Sequence, residues 1–280
     1  MRVDTNLIRS VVLLAIALAV QTASARVTRI DIAKHSDVLN GKIWGKSGAY
    51  EKILGRVYFA VDPANTHNHQ IVDLENAPRN SHGEVEFSTD VYLLRPKSSG
   101  NGTLLLEVPN RGGKALLRAV QGAEESTDPT SESEFGDGFL LNQGFTIAWL
   151  GWQWDVRDEA GLMRLYAPVA HESDGKSIRG LVRADWTPAQ RKHEWPLAHV
   201  ILEQIGGKGY PVADPAAPDN VLTVRDCPLC SRSVIPRTGW KFAHENAGKI
   251  EDSDRFVRLE AGFEPGKIYE FVYVAGHRSR

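Results

Sequence analysis

The chain has 280 residues, of which 42% are hydrophobic and 24% charged, a composition typical of a folded protein with one large domain or two small ones. Its formal net charge of −2 and the lack of a basic stripe argue against nucleic acid as a partner.

The first 25 residues have the plan of a secretory signal peptide. Arg2 and Arg9 stand in a polar start, residues 11–20 are apolar, and Ala23 and Ala25 form an A-x-A cleavage pattern. An uncleaved anchor is the alternative. Cleavage would place the mature chain in the periplasm or outside the cell. No other apolar run is long enough to cross a bilayer, so no stable membrane span is expected after cleavage.

Residues 26–97 have the sequence pattern of a β-rich region. Residues 27–32, 56–61 and 84–94 alternate apolar and polar side chains, as half-buried strands do. Turn clusters with Pro and Asn separate them at residues 62–65 and 77–80. The pattern predicts an antiparallel sheet or small sandwich.

Residues 98–280 begin with a different pattern. Residues 104–108 and 144–150 are apolar runs typical of strands buried on both faces, and short helical segments are predicted between them at 115–120 and 135–142. Strand, helix and strand in this order indicate a parallel crossover unit. Further on we predict strands at 221–225 and 268–274, and a helix near 188–202.

The turn after the first apolar run is a candidate anion-binding loop. It contains Asn110, Arg111, Gly112 and Gly113, and its glycines allow positive φ and close backbone approach. Its amides could converge on a developing oxyanion, and a plain tight turn is the alternative. The end of the second run and the residues just after it contain Trp149, Trp152, Gln153 and Trp154. The last three are pocket-wall candidates, and core packing is the alternative for the indoles.

The cysteines and histidines indicate no metal site and no cofactor. Cys227 and Cys230 lack a second ligand pair, so a local disulfide or two free thiols is favoured over redox catalysis. His67 and His69 lie in a polar loop without an obvious third ligand. No serine lies in a G-x-S-x-G elbow.

Ordered landmarks along the mature chain resemble a known family. They include 48–52 (GAYEK), 77–80 (APRN), 109–112 (PNRG), 151–156 (GWQWDV), 223–226 (TVRD) and 262–266 (GFEPG). With them the chain resembles exported bacterial alpha/beta hydrolase domain-containing proteins, in their N-terminal part only. The resemblance implies a mixed α/β, strand-rich fold. A β-rich N-terminal sheet or sandwich over 26–97 would lead into the first strands of an incomplete α/β-hydrolase sheet over 98–280.

The same resemblance implies a carboxylic ester hydrolase acting on a small ester-like ligand. Asn110, Arg111 and Gly112 would then build the oxyanion hole, and Gly151, Trp152 and Gln153 would lie near its mouth. In the family the serine elbow and histidine follow the strand that matches 268–274, and residues 276–280 replace them here. We therefore expect no catalytic residue in this chain and no esterase activity from it alone.

A secreted β-rich module that binds a ligand or glycan through the Trp149–Trp154 cluster is the alternative function. The two hypotheses differ at residues 271–274. An incomplete hydrolase would leave this apolar strand without a covering layer, whereas a binding module would close its sheet over it.

Overall fold

The computed structural model describes residues 25–197 and 209–276, so the predicted signal peptide lies outside the described residues except for Ala25. Strands make up 43% and helices of all kinds 13% of the described part. These residues form two compact units. The first comprises the described residues up to Trp154 together with Ala160–Val169, and the second comprises Asp155–Glu159 and the described residues from Ala170 onward. The predicted boundary at residue 97 falls inside the first unit.

The first unit is built on one seven-stranded sheet. The strand order is β1-β3-β4-β6-β5, with β2 paired to β3 and β7 to β4. The strands are β1 (Arg26–Asp37), β2 (Ile43–Trp44), β3 (Gly48–Val61), β4 (Val85–Pro96), β5 (Leu104–Glu107), β6 (Thr146–Leu150) and β7 (Leu165–Tyr166). All pairings in this sheet are antiparallel except the parallel pair β5 and β6.

A long hairpin of β3 and β4 is the centre of this sheet. Its register is unbroken from the pair Tyr50 and Pro96 to the pair Val61 and Val85. Because side chains alternate along a strand, Tyr50 and Leu54 share one face with Tyr92 and Leu94 of β4. This face carries the core of the unit, formed by Val38, Trp44, Tyr50, Tyr92, Leu94, Leu117, Ala123, Phe135, Leu140, Leu141, Ile147, Trp149 and Met163.

Two short α-helices connect β5 to β6. They are α1 (Leu116–Gln121) and α2 (Phe139–Asn142), six and four residues long. The carboxylate of Glu107, at the end of β5, accepts hydrogen bonds from the amides of Ala115 and Leu116 and so caps α1. At its other end α1 stops at Gly122, which has φ of 62°.

The predicted mixed α/β fold is wrong. With two short α-helices in the described residues and mostly antiparallel sheets, the protein is β-rich and does not have the layout of an α/β hydrolase. The apolar run of β5 suggested a strand covered on both faces, yet the side chains of Leu104 and Leu106 are 57% and 52% exposed. Helices of six and four residues are too short to cover a sheet face.

The second unit contains two antiparallel sheets. One has the order β11-β10-β14-β8 and the other β12-β13-β9. The strands are β8 (Gly180–Trp186), β9 (Lys192–Pro196), β10 (Val221–Arg225), β11 (Ser233–Val234), β12 (Trp240–Asn246), β13 (Lys249–Phe263) and β14 (Ile268–Ala275). The predicted strands at 221–225 and 268–274 are confirmed. The helix predicted at 188–202 is wrong in its described part, because β9 occupies it; residues 198–202 lie outside the described residues.

Both sheets contribute to one aromatic core. Phe271 of β14 packs against Trp240 and Phe242 of β12, with ring centroids 5.1 and 5.6 Å away. β14 is an inner strand, paired with β10 and β8 on its two sides, and Phe271 and Tyr273 are fully buried. The strand at 271–274 therefore has a covering layer, unlike the arrangement expected of an incomplete hydrolase. Among the described residues, no helix is long and apolar enough to cross a membrane.

Candidate functional site

A cavity of about 670 Å³ opens on the core-bearing face of the first sheet. Its apolar wall includes Leu54, Val91, Leu162 and Met163. Polar side chains of β1, β3, β4 and the loops beside them complete the lining, and they are Asp31, Arg56, Tyr58, Asp90, Tyr92, Lys114, Thr127 and Asp128. We call this space the sheet cavity. Its size and its apolar wall with polar side chains around it are typical of small-molecule sites.

Asp128 organises one side of the sheet cavity. Its Oδ1 accepts hydrogen bonds from Lys52 Nζ at 2.6 Å and from the Tyr92 hydroxyl at 3.0 Å. Partial burial would raise the pKa of Asp128, but these two hydrogen bonds outweigh it and hold that pKa below its ordinary value. Burial, with the Asp128 charge beside it, raises the pKa of Tyr92. Asp128 is thus an anion and Tyr92 a neutral donor over the physiological pH range.

Lys114 lies beside the Tyr92 ring, and its hydrogen-bond partners are backbone carbonyls. Its Nζ donates to the backbone carbonyls of Thr127 at 2.5 Å and Gly161 at 2.8 Å, and it lies 4.6 Å from the centroid of the Tyr92 ring. Lys114 forms no ion pair with any described residue. Burial lowers its pKa to about 8, although the charges of Asp128, Glu107 and Asp90 act in the other direction.

Arg56 and Asp90 are fixed as a structural pair at the far end of the cavity. Arg56 donates to Asp90 Oδ1 at 3.1 Å through one terminal nitrogen, and its guanidinium lies 3.8 Å from the ring centroid of Tyr166. Asp90 Oδ2 also accepts from the Arg164 amide and the Tyr166 hydroxyl. Because both charges have partners, this end of the cavity supplies shape and polarity rather than a free charge.

The predicted oxyanion loop is a closed turn. Asn110–Gly112 is a single 3₁₀ turn in which Arg111 and Gly112 have φ of 52° and 79°. The Arg111 amide donates to Gln153 Oε1 at 2.5 Å, and the Gly113 amide donates to the Asn110 carbonyl at 3.2 Å. None of the four loop residues lines the sheet cavity. These two amides are thus committed to partners inside the protein.

The three indoles have different environments. Trp149 is fully buried, with its edge against Tyr92, and its Nε1 donates to the Glu107 carboxylate. Trp152 is 52% exposed and donates to the Pro109 carbonyl at 2.7 Å, while Trp154 is partly buried. None of them lines the sheet cavity, and neither does Gln153. The core alternative therefore describes Trp149, and Trp152 with Gln153 holds the turn after β5.

The remaining sequence candidates lie elsewhere. Cys227 and Cys230 form a disulfide in the loop between β10 and β11, in the second unit. His67 belongs to a short 3₁₀ turn between β3 and β4, and His69 ends that turn. Among the described residues, no group of three or more His, Cys, Asp or Glu side chains is arranged to hold a metal ion.

Sequence reasoning missed the residues that surround the sheet cavity. Side chains at alternate positions of β3 lie on the same face as the core residue Tyr50, and they include Lys52, Leu54 and Arg56. Charged residues at positions of a strand that otherwise carry core side chains indicate a buried polar site, and this pattern is visible in the sequence. Lys114 directly follows the predicted loop and was not singled out. No protein-family model, no curated protein and no solved structure matches this chain.

Proposed function

We propose that the first unit binds a small organic molecule with a mainly apolar body and one polar group in the sheet cavity. The observation that carries this proposal is the cavity itself, about 670 Å³ between the sheet and the loops that contain Asp128 and Leu162. The ester-like ligand expected from the sequence is one molecule of this kind. This function belongs to the class of the predicted binding module, with the site moved from the Trp149–Trp154 cluster to the sheet cavity.

Closure of the second unit supports the same choice. The sequence hypotheses differed in whether residues 271–274 would be covered, and Phe271 and Tyr273 are fully buried. The ester hydrolase stays a prediction of the resemblance. The internal partners of the Arg111 and Gly113 amides weigh against it, because an oxyanion would need those donors free. Periplasmic or secreted location also stays a prediction, which depends on residues 1–25.

A cavity-filling variant tests the proposal. Leu162→Trp places an indole in the sheet cavity, and Leu181→Trp, at a 62% exposed position of β8, is the matched control. The probe is 1-anilinonaphthalene-8-sulfonate, an apolar dye with one anionic group, titrated into the mature protein and followed by fluorescence. We expect Leu162→Trp to weaken binding at least tenfold and Leu181→Trp to leave it unchanged. Equal binding by both variants, or no binding by the unmodified protein, would overturn the proposal.

A further inference from the structure

Lys114 combines burial, a cavity position and uncharged hydrogen-bond partners. Its residue surface is 9% exposed, it lines the sheet cavity, and both acceptors of its Nζ are backbone carbonyls. A carboxylate partner would favour the protonated amine, whereas a carbonyl accepts a hydrogen bond from the ammonium or from the neutral amine. A neutral amine that donates its two protons to Thr127 and Gly161 keeps its lone pair for another reaction.

The geometry points to Lys114 as the site of imine formation with an apolar aldehyde or ketone bound in the sheet cavity. This inference rests on the proposed function, because the carbonyl compound must first occupy the cavity. The wall formed by Leu54, Leu162 and Met163 suits a ligand with a hydrocarbon body. The Tyr92 ring lies beside Lys114 Nζ and favours a flat, aromatic ligand that can pack against it.

Charges around Lys114 leave part of the amine neutral near pH 7. The groups that face it are Lys52 of β3, Asp90 and Tyr92 of β4, Glu107 of β5, and Asp128. Burial dominates over the three carboxylates and lowers the pKa of Lys114 to about 8. Roughly a tenth of the amine is then neutral at pH 7, against about one part in 3,000 for an ordinary lysine. Nucleophilic lysines in enzymes are activated by desolvation of this kind.

The reaction balances without an oxidant or any further reactant. The Nζ lone pair forms a bond to the carbonyl carbon, and the carbonyl π electrons move to oxygen. A proton passes from nitrogen to that oxygen, which gives a carbinolamine. Loss of the oxygen as water, with the second amine proton, gives the C=N bond. One amine and one carbonyl compound therefore yield one imine and one water.

Reductive trapping of the full chain tests the inference. The probe is benzaldehyde with sodium cyanoborohydride at pH 7, followed by peptide mapping by mass spectrometry. We expect Lys114 to be benzylated at least tenfold faster than the exposed Lys46 and Lys241. Its labelling rate should also level off above pH 8. Labelling of Lys114 no faster than of the exposed lysines would overturn the inference.

Two controls separate this inference from the proposed function. Benzyl alcohol has the same body but cannot form an imine, so its displacement of the dye reports cavity binding alone. If benzyl alcohol binds and Lys114 is not trapped, imine formation is refuted and the binding function stands. If neither the dye nor benzyl alcohol binds, both proposals fail. Lys114→Arg keeps donors for Thr127 and Gly161 but removes the amine, so we expect no adduct at position 114 and labelling of Lys46 and Lys241 as in the unmodified protein.

Discussion

The first unit buries more charged and polar groups than the second, and the second buries more aromatic rings than the first. Of the buried polar residues in the described part, Ser47, Glu51, Lys52, Asn68, Ser88, Thr89, Lys114 and Gln121 belong to the first unit, and Asn220 and Arg258 to the second. Lys52 and Lys114 of the first group lie beside the sheet cavity. The second unit instead packs Trp186, Trp195 and Phe263 within 6.4 Å of one another.

This difference indicates that stability depends on different interactions in the two units. A packed aromatic core gains free energy from area and shape, whereas buried charge lowers stability unless every group has a partner. We therefore expect core truncations to cause the largest losses of stability in the second unit. In the first unit we expect the stability to depend more on buried charges and on pH.

The largest expected effect is a cavity in the aromatic core. Phe271→Ala removes a fully buried ring that contacts Trp240, Phe242 and Tyr273. We expect a loss of about 4 kcal/mol in the free energy of unfolding, measured in urea. Val272→Ala on the same strand is the control, because its side chain is only partly buried, and it should cost less. A loss below about 1 kcal/mol for Phe271→Ala would contradict the expectation that the aromatic core dominates the stability of the second unit.

The next effect is a pH dependence that belongs to Lys114. Its pKa is about 8 in the folded protein and near 10.5 when unfolded, so the unfolded chain binds more protons between these pH values. Stability therefore rises with pH across this window. Relative to Lys114→Met, the unmodified protein should gain roughly 3 kcal/mol between pH 8 and pH 10.5. Parallel pH curves for the two proteins would show that Lys114 keeps an ordinary pKa.

A smaller loss is expected from Asp128. Asp128→Ala leaves Lys52 without its ion-pair partner and the Tyr92 hydroxyl without its acceptor. The Asp128 side chain is 35% exposed, so water screens part of the effect and we expect about 2 kcal/mol.

Asp128→Asn keeps an acceptor for the Tyr92 hydroxyl and should cost less than Asp128→Ala. The pKa of Asp128 is depressed in the folded state, so its contribution is present above its unfolded pKa and is lost as pH falls through the folded pKa. Equal losses for the two variants would show that the acceptor for the Tyr92 hydroxyl contributes nothing, and no loss for Asp128→Asn would show that the charge pair contributes nothing.

The smallest effects come from one matched change in each unit. Tyr50 donates its hydroxyl to the Leu141 and Phe145 carbonyls, and Tyr273 donates to the Tyr210 carbonyl. Each change to Phe should cost about 1 kcal/mol, because one hydroxyl donor is lost while the ring packing stays. Urea unfolding measures both. A loss above about 3 kcal/mol for either variant would indicate packing damage rather than the loss of a hydrogen bond.

Strands were the part of the fold that the sequence predicted best. Alternation marked residues 27–32, 56–61 and 84–94, which lie in β1, β3 and β4 apart from Glu84. The local sequence pattern predicted the wrong element where pairing with residues distant in sequence decides the structure. β9 forms because it pairs with β13, and no signal within residues 188–202 reveals that pairing.

The site was harder to predict than the fold, for a related reason. The ion pair of Lys52 and Asp128 joins residues 76 positions apart, and the two acceptors of Lys114 are backbone carbonyls, which leave no trace in residue types. The turn at residues 110–113 stands out in the sequence because of its two glycines. Its glycines and its partners Gln153 and Trp152 fix the path that brings Lys114 to the sheet cavity.

The unbroken register of β3 and β4 limits how this chain can change length over evolution. One residue inserted directly after Tyr50, with Tyr50 held in the core, would turn Lys52 away from Asp128 and turn Glu51 toward the aromatic side chains of the core. Tolerated insertions and deletions in this hairpin should therefore come in pairs. β1 already contains two bulges and is mostly exposed, so single-residue length changes among homologues should concentrate there.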